Sequence, residues 1–268
     1  MSEASIYQRL RGHLAALRLA AAAEALPQAL ERAATDGTSH TAFLERLLAV
    51  EVAAAEARRQ ASLARFACLP APWRIADFDF DAQPSVDRKL LAELATLRFV
   101  ADKGNVLLIG PPGVGKTMLA VALGHAAVQA GMRTYYTTAA ELAARCHKAA
   151  IEGRWSTTMR FYAGPRLLVI DELGYLPMPA EGAAALFQVI TQRYGKGSIV
   201  LTTNLGVGSW GRIFDDPMVA AAMLDRLLHR SVVVNIDGES YRMRTHRARA
   251  ESLRAGAKQA EVTPTTTR

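Results

Sequence analysis

Only two cysteines, Cys68 and Cys146, stand among 268 residues, far apart and without C-x-x-C spacing. That rules out a disulfide framework and points to reduced thiols in a cytoplasmic protein. The six histidines form no H-E-x-x-H or paired-ligand spacing, so no zinc site is expected. No apolar run approaches the ~20 residues that a membrane span needs, and the most alanine-rich stretch is broken by Arg18 and Glu24. The first residues, Met-Ser-Glu-Ala-Ser, lack a basic region followed by an apolar one, so no secretory signal is expected either. Internal repeats are absent.

What remains is half hydrophobic, enough for a sizeable core, with a net charge of +7 and a pI near 9.7. The length suits one α/β domain with a smaller appendage. The basic balance suggests a polyanionic partner, nucleic acid being the usual one, against the plainer reading of a soluble basic surface.

Residues 4 to about 69 carry no strand signal. "YQRLRGHLAALRLAAAAEAL" places Leu10, Leu14, Leu17 and Ala21 at helical spacing. A second pattern runs from Thr41 to Ala67, with Phe43, Leu47, Val50 and Ala54 on one face, Thr41 as cap and Glu45 in the first turn. "CLPAPW" ends it, because proline cannot continue a helix. A small all-α domain over 1–69 is therefore expected. After a loop and a helix, the order alternates from Val106: strands at "VLLI", "RTYYTT", "RLLVID", "SIVLTTN" and "SVVVNI", with helices over 116–130, 139–150, 181–194 and 217–229. Alternation of this kind implies a parallel five-stranded sheet covered by helices on both faces, an α/β fold. The end of the chain turns polar and basic, and residues 250–268 read as a disordered tail.

Gly110, Pro111, Pro112, Gly113, Val114, Gly115, Lys116 and Thr117 complete the pattern G-x-x-x-x-G-K-[ST], between a strand and a helix as that motif requires. The glycines allow backbone N–H groups to turn around a phosphate at a helix N-terminus that already favours anions. Lys116 suits the β- and γ-oxygens of ATP, and the Thr117 hydroxyl suits Mg²⁺. "LLVIDE" ends a buried strand with Asp171 and Glu172 at the edge where open parallel sheets bind ligands. Asp171 fits the Mg²⁺ shell, and Glu172 fits activation of a water for attack on the γ-phosphate. Asn204 ends the next strand, where its amide suits the water or the γ-phosphate; Thr202 and Thr203 are weaker candidates. Arg226, in "AAAMLDRLLHR", reads either as a solvated or paired charge or as an arginine finger offered to an adjacent subunit, with Arg193 and Arg230 as lesser candidates.

"GPPGVGKT", "VIDE", the strand-end Asn204 and "LDRL" together resemble the AAA+ ATPases. "LRLAAAAEALPQAL", "DFDFDAQPSVDRKLLAEL", "IDELGYLPM", "GSWGRIFDDPMVAAAMLDRLLHRS" and "GESYRMR" are similar to the IstB family. Its members are ATP-binding helpers encoded beside the transposase of certain bacterial insertion sequences, and the likeness spans about 10–247. The resemblance implies an AAA+ core over 70–249, with Gly110–Thr117 as nucleotide loop, Asp171 and Glu172 as metal and hydrolysis pair, Asn204 as first sensor and Arg226 as finger in trans. It also implies DNA contact by residues 1–69 and an extra helix over 138–152; Arg145, Lys148 and nearby Arg154 read either as facing DNA or as an ordinary solvated face. The chain departs from many AAA+ proteins in leaving only about thirty residues after Ile236, too few for a full C-terminal lid; Arg242 or Arg244 would have to replace its sensor arginine.

The resulting expectation is a DNA-coupled ATPase that assembles as a ring or helical oligomer on double-stranded DNA and recruits or activates a transposase. A helicase loader of the DnaC type, a small-molecule kinase and a non-hydrolysing nucleotide sensor are the alternatives. No arginine-rich lid of a kinase is visible, and intact Lys116, Asp171 and Glu172 argue against the sensor.

Overall fold

A computed structural model describes residues 2–175, 180–212, 214, 217–241 and 243–244. The chain forms two compact units, residues 1–62 and 63–268. The first contains helices α1 (Glu3–Ala16) and α2 (Ala20–Asp36) and most of α3 (His40–Ala67), so the division falls inside α3.

The single helical pattern expected around Leu10–Ala21 is two helices. Leu17 ends α1, Arg18 takes a left-handed φ of 60°, and Leu17 is left exposed. No glycine or proline marks this turn; the reversal lets Leu14, Ala22, Leu26 and Leu47 meet in one small core. Of the predicted face on α3, Leu47 is buried and Val50 is exposed. The cap is also displaced: the Ser39 hydroxyl, not that of Thr41, accepts from the Ala42 N–H at 3.3 Å. Glu51 is buried here, accepting from the Ala22 N–H at 3.0 Å and from Arg58 at 2.7 Å. The Ala22 bond, then that from Arg58, hold its carboxyl below the usual range.

The second unit is built on strands β1 (Asn105–Ile109), β2 (Thr134–Thr138), β3 (Leu167–Leu173), β4 (Ser198–Thr203) and β5 (Ser231–Asn235). All pair in parallel, in the order β2-β3-β4-β1-β5. Helices α4 (Arg88–Ala95), α5 (Arg98–Ala101) and α6 (Lys116–Gln129) pack with one face; α7 (Ala139–Ile151), α8 (Trp155–Ala163), α9 (Ala180–Arg193) and α10 (Pro217–Leu228) cover the other. Side chains alternate across a strand, so Leu107 and Ile109 point to the second face and Val106 and Leu108 to the first. The central strands β1, β3 and β4 are buried on both faces, which is why they read as nearly continuous apolar runs. Two features differ from the sequence reading. The connection from β2 to β3 holds α8 as well as α7, and β3 runs two residues past Asp171 with a shift of register against β4 between Ile170 and Leu173.

One arginine organises the amino edge of this sheet. Arg193 is buried at the end of α9 and has no carboxylate partner among the described residues; burial lowers its pKa to about 10. Its guanidinium donates to the carbonyls of Tyr162 (2.8 Å), Pro165 (2.9 Å) and Ser198 (2.7 Å), tying the approach to β3 to the start of β4. A Cβ at Gly197 would lie 2.7 Å from its Nη2, so glycine makes room for it. Arg193→Met should leave these carbonyls without their donor and destabilise the unit by about 3–5 kcal/mol. All three tryptophans, Trp73, Trp155 and Trp210, lie in this unit, so their fluorescence in a denaturant titration reads it directly. An unchanged midpoint would show that water replaces the guanidinium without loss.

Candidate functional site

The carboxyl end of β1 runs straight into the glycine loop. Gly110 donates its N–H to the Thr203 carbonyl at 3.2 Å, and a Cβ on it would sit 2.1 Å from the Ile236 carbonyl oxygen. Gly113 and Gly115 take φ values of 85° and 99°, and side chains there would strike Ser240 and Phe78. Lys116 opens α6, and its Nζ donates to the carbonyls of Gly110 (2.7 Å) and Pro111 (2.8 Å). The loop borders one cleft of about 540 Å³, whose lining includes Pro112–Thr117, Glu172, Trp73, Phe78, Gln83, Tyr175 and Tyr241. That volume is of the size small-molecule sites have.

Asp171 lies just behind the loop and is buried. Its Oδ1 accepts from the hydroxyls of Thr117 (3.1 Å) and Thr202, and its Oδ2 accepts from the Tyr136 hydroxyl at 2.7 Å. Burial first, then donation to Asp171, raises the Tyr136 pKa, so this phenol stays a donor. Glu172, one residue on, occupies the register shift in β3 with a left-handed φ of 63°. Its N–H donates to Thr202 Oγ1 at 2.9 Å, and its exposed side chain borders the cleft. A non-glycine residue in this conformation costs about 1–3 kcal/mol. Bulges of this kind re-aim a side chain: here the two consecutive carboxylates turn to different sides, one into the loop and one into the cleft.

Asn204 follows the end of β4, and its buried Oδ1 has no hydrogen-bond partner among the described residues. Thr203 donates to no group of the cleft; its hydroxyl accepts from the Leu205 N–H at 3.1 Å. Arg226 is not brought to the cleft. It lines a hollow of about 260 Å³ with Lys103, Asn105, Arg193 and Arg230, beside the first residues of β1 and β4, at the opposite edge of the sheet. Its Nη1 donates to the Ala222 carbonyl at 2.9 Å, and its guanidinium lies 5.0 Å from the centre of the Phe187 ring. Arg193, a lesser candidate for the same role, is held by backbone carbonyls.

The arginines expected to face DNA from 138–152 and beyond all have partners within the chain. Arg145 lies 4.1 Å from the Phe161 ring centre and donates to the Tyr135 hydroxyl; Lys148 and Arg154 both meet Glu152. Arg244 pairs with Asp79 at 3.1 Å, whereas Arg242 and the tail over 250–268 lie outside the described residues. Sequence reasoning missed Tyr136 and the cover of the loop by residues 237–241. The Tyr241 N–H donates to the Gly113 carbonyl at 3.0 Å, and Ser85 Oγ donates to the Asp237 carbonyl at 2.8 Å.

The donor set fits a nucleoside triphosphate with a divalent cation. Loop N–H groups and Lys116 match phosphate, and the Thr117 hydroxyl beside the Asp171 carboxylate offers the hard oxygens that Mg²⁺ takes. Among the described residues no group of three or more His, Cys, Asp or Glu is placed to hold a metal by itself, so the cation would rely on the phosphates as well. No described helix is long and apolar enough to cross a membrane.

The chain is similar to known proteins over most of its length. The family model described as IstB-like ATP binding protein matches residues 12–249. An ATP-binding protein of insertion sequence IS5376 from Geobacillus stearothermophilus is 42% identical over 244 residues, covering 91% of this chain and 97% of that protein. Its counterpart in insertion sequence IS21 of Pseudomonas aeruginosa is 43% identical over 235 residues, covering 88% and 86%. Among solved structures, the replication initiator DnaA bound to AMPPCP and single-stranded DNA superposes with a TM-score of 0.53 at 19% identity, over 64% of this chain and 52% of that one. That likeness speaks for the fold alone. With its match over most of the chain and its glycine loop in place, the protein belongs to the IstB-like family of insertion-sequence ATP-binding proteins.

Proposed function

We propose that this insertion-sequence protein hydrolyses ATP to ADP and phosphate, assembles on double-stranded DNA while ATP is bound, and recruits or activates the transposase encoded beside it. The observation that carries the reading is the chain of contacts from Thr117 through Asp171 and Thr202 to Glu172, which joins the phosphate loop to a carboxylate facing the cleft. In this reading Gly110–Thr117 bind the phosphates, and Thr117 and Asp171 would hold Mg²⁺, which would supply charge neutralisation to the phosphates. Glu172 takes the proton of the attacking water, and Asn204 positions that water or the γ-phosphate through its amide. Arg226 serves the cleft of a neighbouring copy.

The DNA part rests on charge and on relatives. Residues 1–62 hold seven arginines against seven acids, so the whole excess of basic charge lies in residues 63–268. The helical domain over 1–69 contributes contact through individual exposed arginines such as Arg9, Arg11 and Arg18, while the pull towards phosphates comes from the 70–249 ATPase domain and the tail. The relatives are insertion-sequence proteins, and the DnaA of similar fold is bound to single-stranded DNA. They favour transposition over the loading of a helicase. The assembly would work in the cytoplasm, where ATP and chromosomal DNA are both at hand.

Glu172→Gln should keep ATP binding, lower turnover by ~10²–10⁴, and hold the protein on duplex DNA. Phosphate release and a mobility-shift assay with ATP check it; turnover at the normal rate would remove Glu172 from the reaction.

Arg226→Ala should bind ATP normally and hydrolyse it poorly, since a finger supplied by a neighbour contributes ~10³–10⁵ in rate. Mixing it with Lys116→Ala should restore part of the activity, because one variant keeps an intact cleft and the other keeps the arginine. Phosphate release from each variant alone and mixed, across protein concentration, gives the answer. If mixing brings no gain and the specific activity of the unaltered protein ignores concentration, Arg226 does not act in trans.

A further inference from the structure

The cleft has a mixed lining: Lys116, Thr117, Glu172, Asp77 and Asp79 are polar or charged, and Trp73, Phe78 and Tyr241 are aromatic. One buried amide stands among them. Gln83 also lines the cleft, is 2% exposed, and its Nε2 donates to the Glu239 carbonyl at 2.9 Å. A carbonyl only accepts, so this bond fixes which way the amide points. Its Oε1 is then an acceptor, and it has no hydrogen-bond partner among the described residues. Room for it is made by Gly238, where a Cβ would lie 2.5 Å away. Buried acceptors are rarely left unpaired; this one belongs to a side chain that lines the cleft, and a donor on a ligand that displaces its cover would meet it.

We infer that Gln83 is the residue that selects adenine: its Oε1 accepts a hydrogen bond from the 6-amino group of the base. The inference rests on the reading of this cleft as a nucleotide site. Adenine presents an amino donor at position 6, whereas guanine and hypoxanthine present a carbonyl there, which would set acceptor against acceptor. The amide cannot turn over to suit them, because its nitrogen would leave the Glu239 carbonyl. Glu239 belongs to the same short segment as Ser240 and Tyr241, which lie against Gly113. The base-reading group and the phosphate loop are therefore braced by one stretch of chain.

The test is calorimetric binding of ADP and inosine diphosphate, which differ at position 6 and the adjoining ring nitrogen. The full-length protein should bind ADP ~10–100-fold more tightly. Gln83→Leu should bring the two affinities to within about threefold of each other, chiefly by weakening ADP. Gln83→Met, closer in shape, gives the same reading should the leucine variant melt early by tryptophan fluorescence. Lys116→Ala should weaken both ligands and leave their ratio alone. Equal affinities in the unaltered protein, or a ratio that survives both Gln83 substitutions, overturn the assignment while leaving the phosphate loop intact. No effect of Lys116→Ala on either ligand would instead overturn the nucleotide site itself.

Discussion

The buried carboxylate of Asp171 is the constraint around which the site is arranged. A charge removed from water must be met by donors, and here three hydroxyls meet it: Thr117 from the loop, Tyr136 from β2 and Thr202 from β4. Each comes from a different element, so satisfying one carboxylate locks the start of α6 against three neighbouring strands. Thr202 does this twice over, since the same oxygen accepts from the Glu172 N–H. That bond holds Glu172 in its left-handed conformation and so sets the direction of the second carboxylate. The sheet supplies the rigidity: β3 and β4 are buried on both faces, and their ends cannot shift without disturbing both cores.

Groups made by contiguous residues were legible in the sequence. The phosphate loop, the Asp171-Glu172 pair and the strand-helix alternation follow from spacing, because the covalent chain itself sets those distances. Contacts that depend on strand order were not. β2 lies beside β3, and β4 separates β3 from β1, so nothing in the spacing of Tyr136, Thr202 and Asp171 announces that they meet. The bond between Gln83 and Glu239 spans 156 positions and is equally silent.

Charge was readable as amount and not as contacts made. Arg145, Lys148 and Arg154 have the composition of a nucleic-acid face and are exposed, while each also touches an aromatic ring or Glu152 of its own chain. Arg193, a lesser candidate for the arginine finger, is buried and held by backbone carbonyls at the amino edge of the sheet. The turn at Arg18 escaped notice for a different reason. Alanine and leucine favour helix wherever they stand, and only the packing of Leu14 on Leu26 and Leu47 repays the break.

Arg226 and the cleft stand at opposite edges of one parallel sheet, so the proposed service of Arg226 to a neighbouring cleft would have a consequence for symmetry. Two copies related by a two-fold axis bury the same patch on both partners. A pair of that kind cannot set the arginine edge of each copy against the cleft edge of the other through one shared patch. Contacts between unlike edges are head-to-tail, and they continue until they close into a ring or run on as a helix. In an open helix the two ends are unequal: one terminal copy offers an arginine that no cleft receives, and the other has a cleft that no arginine reaches. Such an assembly has a polarity, and on DNA that polarity distinguishes left from right.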